Sequence, residues 1–523
     1  MRRFHLAFAF IIFLLSACAS EENNLLTSTP ESIETQTPIA ITDRPTSLPT
    51  QTEVVASPTQ EPKPLSAEGP WILVADNSET KFFDVMNLNG TGASSIDFLS
   101  EDKYWDALPS SNGGLVAFRT SYPCWNSLDI ENNFSPEILV VKFPEKEVVW
   151  RTSLLSEDAL LKIQNEEDDF FFLGAHPLLG IATNPENFAW SPNGQYLAFT
   201  AAPENEKAGV YVYDVKENTL KLLTESIETP YIRDWSPDGQ WILASDIETY
   251  YPCDYYDFDV SGNWAVSVSG ETKFLYEPTS IDEIAGWTSN KTFVVFSWRF
   301  ESPFTNIREI NVHTNTISTI YEDLFCNMSL GKNSGEVFLV FNDAPFCKLN
   351  IPLGIYRKKA GEPLQLLQSG RYNFLKWYSD PNIFFATRYT NEKDYQDYNT
   401  NMVFLDENGA VEFDLDIDDE FNWTGTSPDG KWLVIKKLGE DSLEIYSNDG
   451  VYETTIELVD GRHLISWFNN SEKLFVHYYE DHFIIVFSPS ENWREAIIAL
   501  PQHEIDKQNP SDYIFGKIYF VYP

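Results

Sequence analysis

The chain is short of positive charge: 36 Lys and Arg stand against 79 Asp and Glu, a formal net charge of -43. Such a surface repels nucleic acid and anionic lipid headgroups at long range, so neither is expected as a partner. Cysteine is scarce, five in 523 residues, and no spacing among the five resembles a structural zinc site. Enzyme signatures are missing too, with no G-x-S-x-G elbow, no H-E-x-x-H and no phosphate-binding glycine loop. His477 and His482 differ by five, which sets them on opposite faces of an unbroken strand unless a hairpin at Glu480-Asp481 reunites them. Long apolar runs are absent as well. The one in "MRRFHLAFAFIIFLLSACAS" falls short of the roughly 20 residues a membrane span needs and ends in small residues.

That opening stretch resembles a bacterial lipoprotein signal, with its lipobox at Leu15-Ser16-Ala17-Cys18. The resemblance implies that residues 1–18 are a signal ending in a lipidated Cys18, so that the protein is exported and anchored rather than spanning. Ala19 does not resemble the Asp that commonly retains lipoproteins on an inner membrane. The expected location is the outer membrane where one exists, and otherwise the outer face of the cell membrane. Residues 19–68 hold nine Thr, seven Pro, six Ser and no aromatic residue. A segment of this composition buries too little apolar surface to offset the entropy of ordering it, and it reads as a disordered tether.

From residue 69 to 523 the chain is rich in Trp, Tyr and Phe and contains no second linker of that kind. Here "FAWSPNGQYLAF" at 188–199 returns as "RDWSPDGQWILA" at 233–244 and "TGTSPDGKWLVI" at 424–435. Each copy is a strand, a tight turn and a second strand with alternating apolar residues. Equivalent positions fall at Pro109, Trp190, Trp235, Trp287, Gly331, Trp377, Thr426 and Trp467, at intervals of 41 to 52 residues after a first interval of 81. Four-stranded antiparallel units of this length describe an all-β propeller, in which each blade buries both sheet faces against its neighbours. Eight marks predict eight blades, with seven as the alternative count. Residues 71–99 either complete the blade opened near Trp467 or form another, and the tail "SDYIFGKIYFVYP" is the candidate closing strand. The turn motif resembles that of the PD40/TolB-like family of WD40-like bacterial propellers, strongly at 190, 235 and 427–430 and loosely elsewhere.

Repetition argues that the Ser, Asp and Trp of these turns are structural, because a catalytic residue needs one defined environment. Function is sought instead in four long loops between second and third strands, near 120–137, 246–262, 342–353 and 389–400, which an up-and-down meander places on one side of the ring. They concentrate aromatics among acids: Tyr122 and Trp125; Tyr250, Tyr251, Tyr255 and Tyr256; Tyr395 and Tyr398. Aromatic faces beside carboxylates suit a protein or peptide partner, with carbohydrate as the close second. An enzyme of a different class, a glycan-processing one, would instead need paired carboxylates at the ring centre.

An exported compartment permits disulfides, and Cys124, Cys253, Cys326 and Cys347 all lie in or beside these loops. Topology favours Cys326 with Cys347 and Cys124 with Cys253; reduced, buried thiols are the alternative. In "DLDIDDE", strand spacing puts Asp414, Asp416 and Asp418 on one face, where they form either a solvated acidic edge or a Ca2+ site. No cofactor is otherwise required.

Overall fold

The computed structural model describes residues 64–75, 83–96, 99, 104–121, 136–166, 187–204, 207–250, 258–278, 281–298, 304–331, 335–342, 351–378, 383–389, 400–415, 421–437, 441–458, 463–467, 471–478, 483–499 and 517–522. These belong to a compact unit running from Gln60 to Pro523.

The repeated turn explains the local fold. In its three best copies, the hydroxyl of Ser191, Ser236 or Ser427 donates to the Asn or Asp two residues on, at 2.8, 2.7 and 2.7 Å. The same oxygen accepts the amide five residues on, at 2.9 Å in all three. Gly194, Gly239 and Gly430 close these turns at φ of 65, 66 and 69°, the left-handed region that glycine enters without a Cβ clash. One geometry serving three blades is the behaviour of a structural device.

From each turn the chain runs as a meander, and the described residues form nine four-stranded antiparallel sheets. Eight are built from consecutive strands, from blade II (Tyr104–Pro109 through Glu147–Ser153) to blade IX (His463–Trp467 through Arg494–Ala499). Blade I is composite: the C-terminal strand Lys517–Val521 pairs with Trp71–Ala75, followed outward by Phe83–Asn87 and Ser94–Ser95.

Alternation along each strand feeds two separate cores. In blade III, Leu197 and Phe199 pack against Leu115 and Val140 of blade II, while Ala198 packs with Ile232 and Ile242 of blade IV. Among the described residues, nine such inter-blade cores follow one another around the ring. The ninth joins Phe475, Ile484 and Val486 of blade IX to Ile72, Met86 and Phe520 of blade I, which closes the circle. Burying each such side chain contributes on the order of 1.5–3 kcal/mol.

The blade count therefore corrects the expectation of eight or seven. All eight sequence marks sit within one residue of the end of the innermost strand of blades II–IX. Blade I takes its innermost strand from the far end of the chain, so it has no first-to-second-strand turn to carry a mark. Residues 71–99 do not complete the blade opened near Trp467; they form a blade of their own with the tail, which is the closing strand as expected.

The first interval of 81 residues reflects an insertion after blade II that contains an α-helix, Glu157–Glu166, unforeseen in an all-β reading. Ser156 caps it, its Oγ accepting the Ala159 amide at 3.1 Å, and Glu157 and Asp158 complement the positive end of the helix dipole.

Candidate functional site

The two ends of the blades differ. Turns joining first to second strands and third to fourth strands share one end, and none exceeds six residues. The opposite end carries the connections at 122–136, 154–187, 251–257, 342–353, 390–399 and 500–516. The body's own termini lie at the turn end. Ser66 N donates to Asn87 Oδ1 at 2.8 Å, and Gly114 N donates to Tyr522 O at 2.6 Å.

Of the predicted binding residues, Tyr250 alone lies among the described residues. Tyr250 is the last residue of strand Trp241–Tyr250 and lies opposite Phe258, so this pair of ten-residue strands extends into the insertion. Tyr122, Trp125, Tyr251, Tyr255, Tyr256, Tyr395 and Tyr398 lie outside the described residues, as do Cys18, Cys124, Cys253, Cys347, Asp416 and Asp418. Cys326 is disulfide-bonded, its partner falling outside the described residues; its Sγ accepts the Asn342 amide at 3.2 Å.

Polar side chains that sequence reasoning missed tie neighbouring strands together. Asn342 Nδ2 donates to Tyr372 O at 3.0 Å, linking blades VI and VII, and Ile232 N donates to Asn187 Oδ1 at 3.0 Å, linking III and IV. Asp282 accepts Ser297 Oγ at 2.6 Å and pairs with Arg308 at 2.6 Å, while the Arg308 guanidinium lies 4.8 Å from the Tyr276 ring centre. Burial pushes the Tyr276 phenol up, with the Asp282 charge adding to it. Asp414, one of the three proposed metal carboxylates, pairs with Arg388 and accepts Asn401 Nδ2 at 2.7 Å. No cluster of three metal-ligating side chains occurs among the described residues. The only sequence signal for these clamps was a polar residue at a strand end, which turns and solvated edges also display.

The turn end carries a cavity of about 570 Å³ where the inner strands of blades IX, I, II and III meet. Phe188, Trp190, Trp467, Tyr519, Phe520 and Tyr522 supply its aromatic walls, and among the described residues its lining includes no Asp or Glu. Trp190 Nε1 donates to Leu108 O of the preceding blade at 2.8 Å, and Trp235 Nε1 to Ala189 O at 3.0 Å, as expected for tryptophans packing between blades. Burial pushes the Tyr519 phenol up, reinforced by the Asp106 charge. Asp234 is also held above the usual carboxylate range by burial, against the opposing effect of the Trp235 amide and Trp287 indole.

No family model matches the chain, and no curated protein matches it. Solved structures do. A eukaryotic initiation factor superposes with a TM-score of 0.50 at 11% identity, covering 87% of this chain and 100% of that one. TolB from Acinetobacter baumannii gives 0.27 at 11% identity over 66% of this chain and 77% of its own. AztD from Citrobacter koseri gives 0.39 at 10% identity, with coverages of 86% and 98%. At such identities the likeness to the initiation factor speaks to the β-propeller fold alone, and the two lower scores carry no functional argument.

Proposed function

We propose that this chain is an exported, lipid-anchored propeller that recognises a protein or peptide through the insertions at one end of its blades. The observation that carries this reading is the segregation of long connections to that end, over strand ends pinned by the Asn187, Asn342 and Asp282 clamps. A rigid scaffold bearing long loops on one side is a common arrangement for recognition. The described body begins at the other end of the blades, where Ser66 N donates to Asn87 Oδ1. The acidic surface favours a partner with basic character.

Anchoring is tested by metabolic labelling with a fatty acid. Cys18→Ser should abolish the label, and unchanged labelling would remove the anchor from the proposal. Recognition is tested by cross-linking capture from intact cells, comparing the native chain with variants lacking the loop tyrosines.

A further inference from the structure

Four Asn-Gly pairs occur in the chain, at Asn89, Asn112, Asn193 and Asn408, and all four asparagines are exposed in connections between strands. In three of the pairs the glycine amide is tied. Gly90 N donates to Asn87 O at 2.8 Å, Gly194 N to Ser191 O at 2.8 Å and Gly409 N to Asp406 O at 3.0 Å. The amide of Gly113, which follows Asn112, donates to no group among the described residues.

The difference begins in the turn. Ser110 and Asn112 occupy the positions of Ser191 and Asn193, and the Ser110 amide donates to Leu115 O at 2.8 Å as that of Ser191 does to Tyr196 O. Asn193 Oδ1 accepts Ser191 Oγ at 2.8 Å and Gln195 N at 3.1 Å, which pins its carboxamide inside its own turn. Asn112 faces outward instead. Its Nδ2 reaches Asn193 O of blade III at 2.7 Å, an exposed bond, and the Ser110 hydroxyl pairs with nothing among the described residues.

Space sets Gly113 apart in the same way. Beyond its chain neighbours, a Cβ there would meet nothing nearer than the Leu115 side chain at 3.9 Å, whereas one at Gly90 would meet Ile498 at 2.7 Å and one at Gly409 would meet Leu367 at 2.7 Å. At Gly194 it would clash with the Asn112 carboxamide. Of the four glycines, Gly113 alone is exposed.

A free glycine amide beside an asparagine can react with it, since glycine has no Cβ to hinder the approach. On losing its proton, the Gly113 nitrogen attacks Asn112 Cγ; the new N–Cγ bond closes a succinimide, and the side-chain nitrogen leaves as ammonia. Water then opens the ring at either carbonyl. The product is aspartate, or isoaspartate with the backbone rerouted through the side chain and lengthened by a methylene. The attack is favoured where no hydrogen bond must first be broken, and the longer product needs room. Position 112 meets both conditions.

We propose that Asn112 is a self-modification site, converting to aspartate and isoaspartate ahead of the other three asparagines. The product loosens the ring where it closes. A carboxylate cannot donate to Asn193 O, so the clasp between blades II and III is lost, and the lengthened backbone adjoins Gly114, whose amide holds Tyr522 O at 2.6 Å.

The test ages the full chain in mildly alkaline buffer, folded and in denaturant, and follows the four asparagine peptides by mass spectrometry with isoaspartate-specific methylation. In the folded chain Asn112 should convert roughly two- to tenfold faster than each of the others, the rate equivalent of one hydrogen bond that need not be broken. In denaturant the four rates should converge. The melting temperature of the aged native chain should drift down towards that of Asn112→Asp, while Asn112→Gln, which keeps the donor, should hold steady. The mass reading on the native chain stays decisive even where Asn112→Asp folds poorly. Conversion of Asn112 no faster than that of Asn193, or the same ranking of rates in the folded chain as in denaturant, would overturn the proposal, and equal drift in Asn112→Gln would overturn its consequence for the ring.

Discussion

Trp71 lies opposite Val521 in antiparallel register, so the first and last described strands close the ring as one sheet. The closure is sealed by Phe520, whose ring centre sits 4.8 Å from that of Phe475 in blade IX. Phe520→Ala should therefore destabilise the whole body by about 3–5 kcal/mol, the usual cost of emptying an aromatic site in a core. Tyr452→Ala, on an outer strand and 52% exposed, should stay within about 0.5 kcal/mol. Denaturant unfolding measures both, and equal effects would contradict closure through this strand.

The turn serines give a second contrast. Ser236 is fully buried and makes both turn bonds, so Ser236→Ala should cost about 1–3 kcal/mol by leaving the Trp241 amide without its acceptor. Ser110→Ala removes a hydroxyl that satisfies nothing among the described residues and should be neutral or slightly stabilising. Matching losses at the two positions would mean that their turns are equivalent after all.

Two aspartates should respond to pH with opposite signs. Burial by itself would raise the Asp429 carboxyl, but hydrogen bonds from Lys431, Ser427 and Ser471 outweigh it and hold its pKa below 3.8. Its contribution to stability is present above 3.8 and is lost as pH falls through the lower folded value. Asp429→Asn should therefore lower the melting temperature at neutral pH, with the gap closing in acid. Asp234, raised chiefly by burial, loses stability as pH rises from 3.8 through its folded pKa, so Asp234→Asn should narrow its deficit or gain at neutral pH relative to acid. Melting curves across pH check both, and parallel profiles would count against this assignment.

Most of the architecture was legible because it is repeated locally. Trp190, Trp235 and the Ser-Pro-Asp/Asn-Gly turns mark strand ends within a dozen residues, and alternation at Tyr196–Phe199 assigns side chains to two faces. Blade I was not legible in the same way, since it joins residues near 71 to residues near 521 and has no turn between its first two strands. The cavity was hidden for a related reason: Ser110, Trp190, Trp467 and Tyr519 converge only once the ring closes. Arg308, Arg388 and Asn401 read in sequence as ordinary polar residues of strands, and pairing across strands gives them their role.

Recognition by the insertion end is the central claim, and loop substitution tests it most directly. Tyr255→Ala with Tyr256→Ala in one variant, and Tyr395→Ala with Tyr398→Ala in another, remove aromatic contact area that costs little rotamer entropy to immobilise. Cross-linking capture from intact cells should fall at least tenfold in each, while circular dichroism and the melting transition stay those of the native chain. Folded variants that capture the partner as well as the native protein does would contradict the account and leave the insertions as covers over the blade ends.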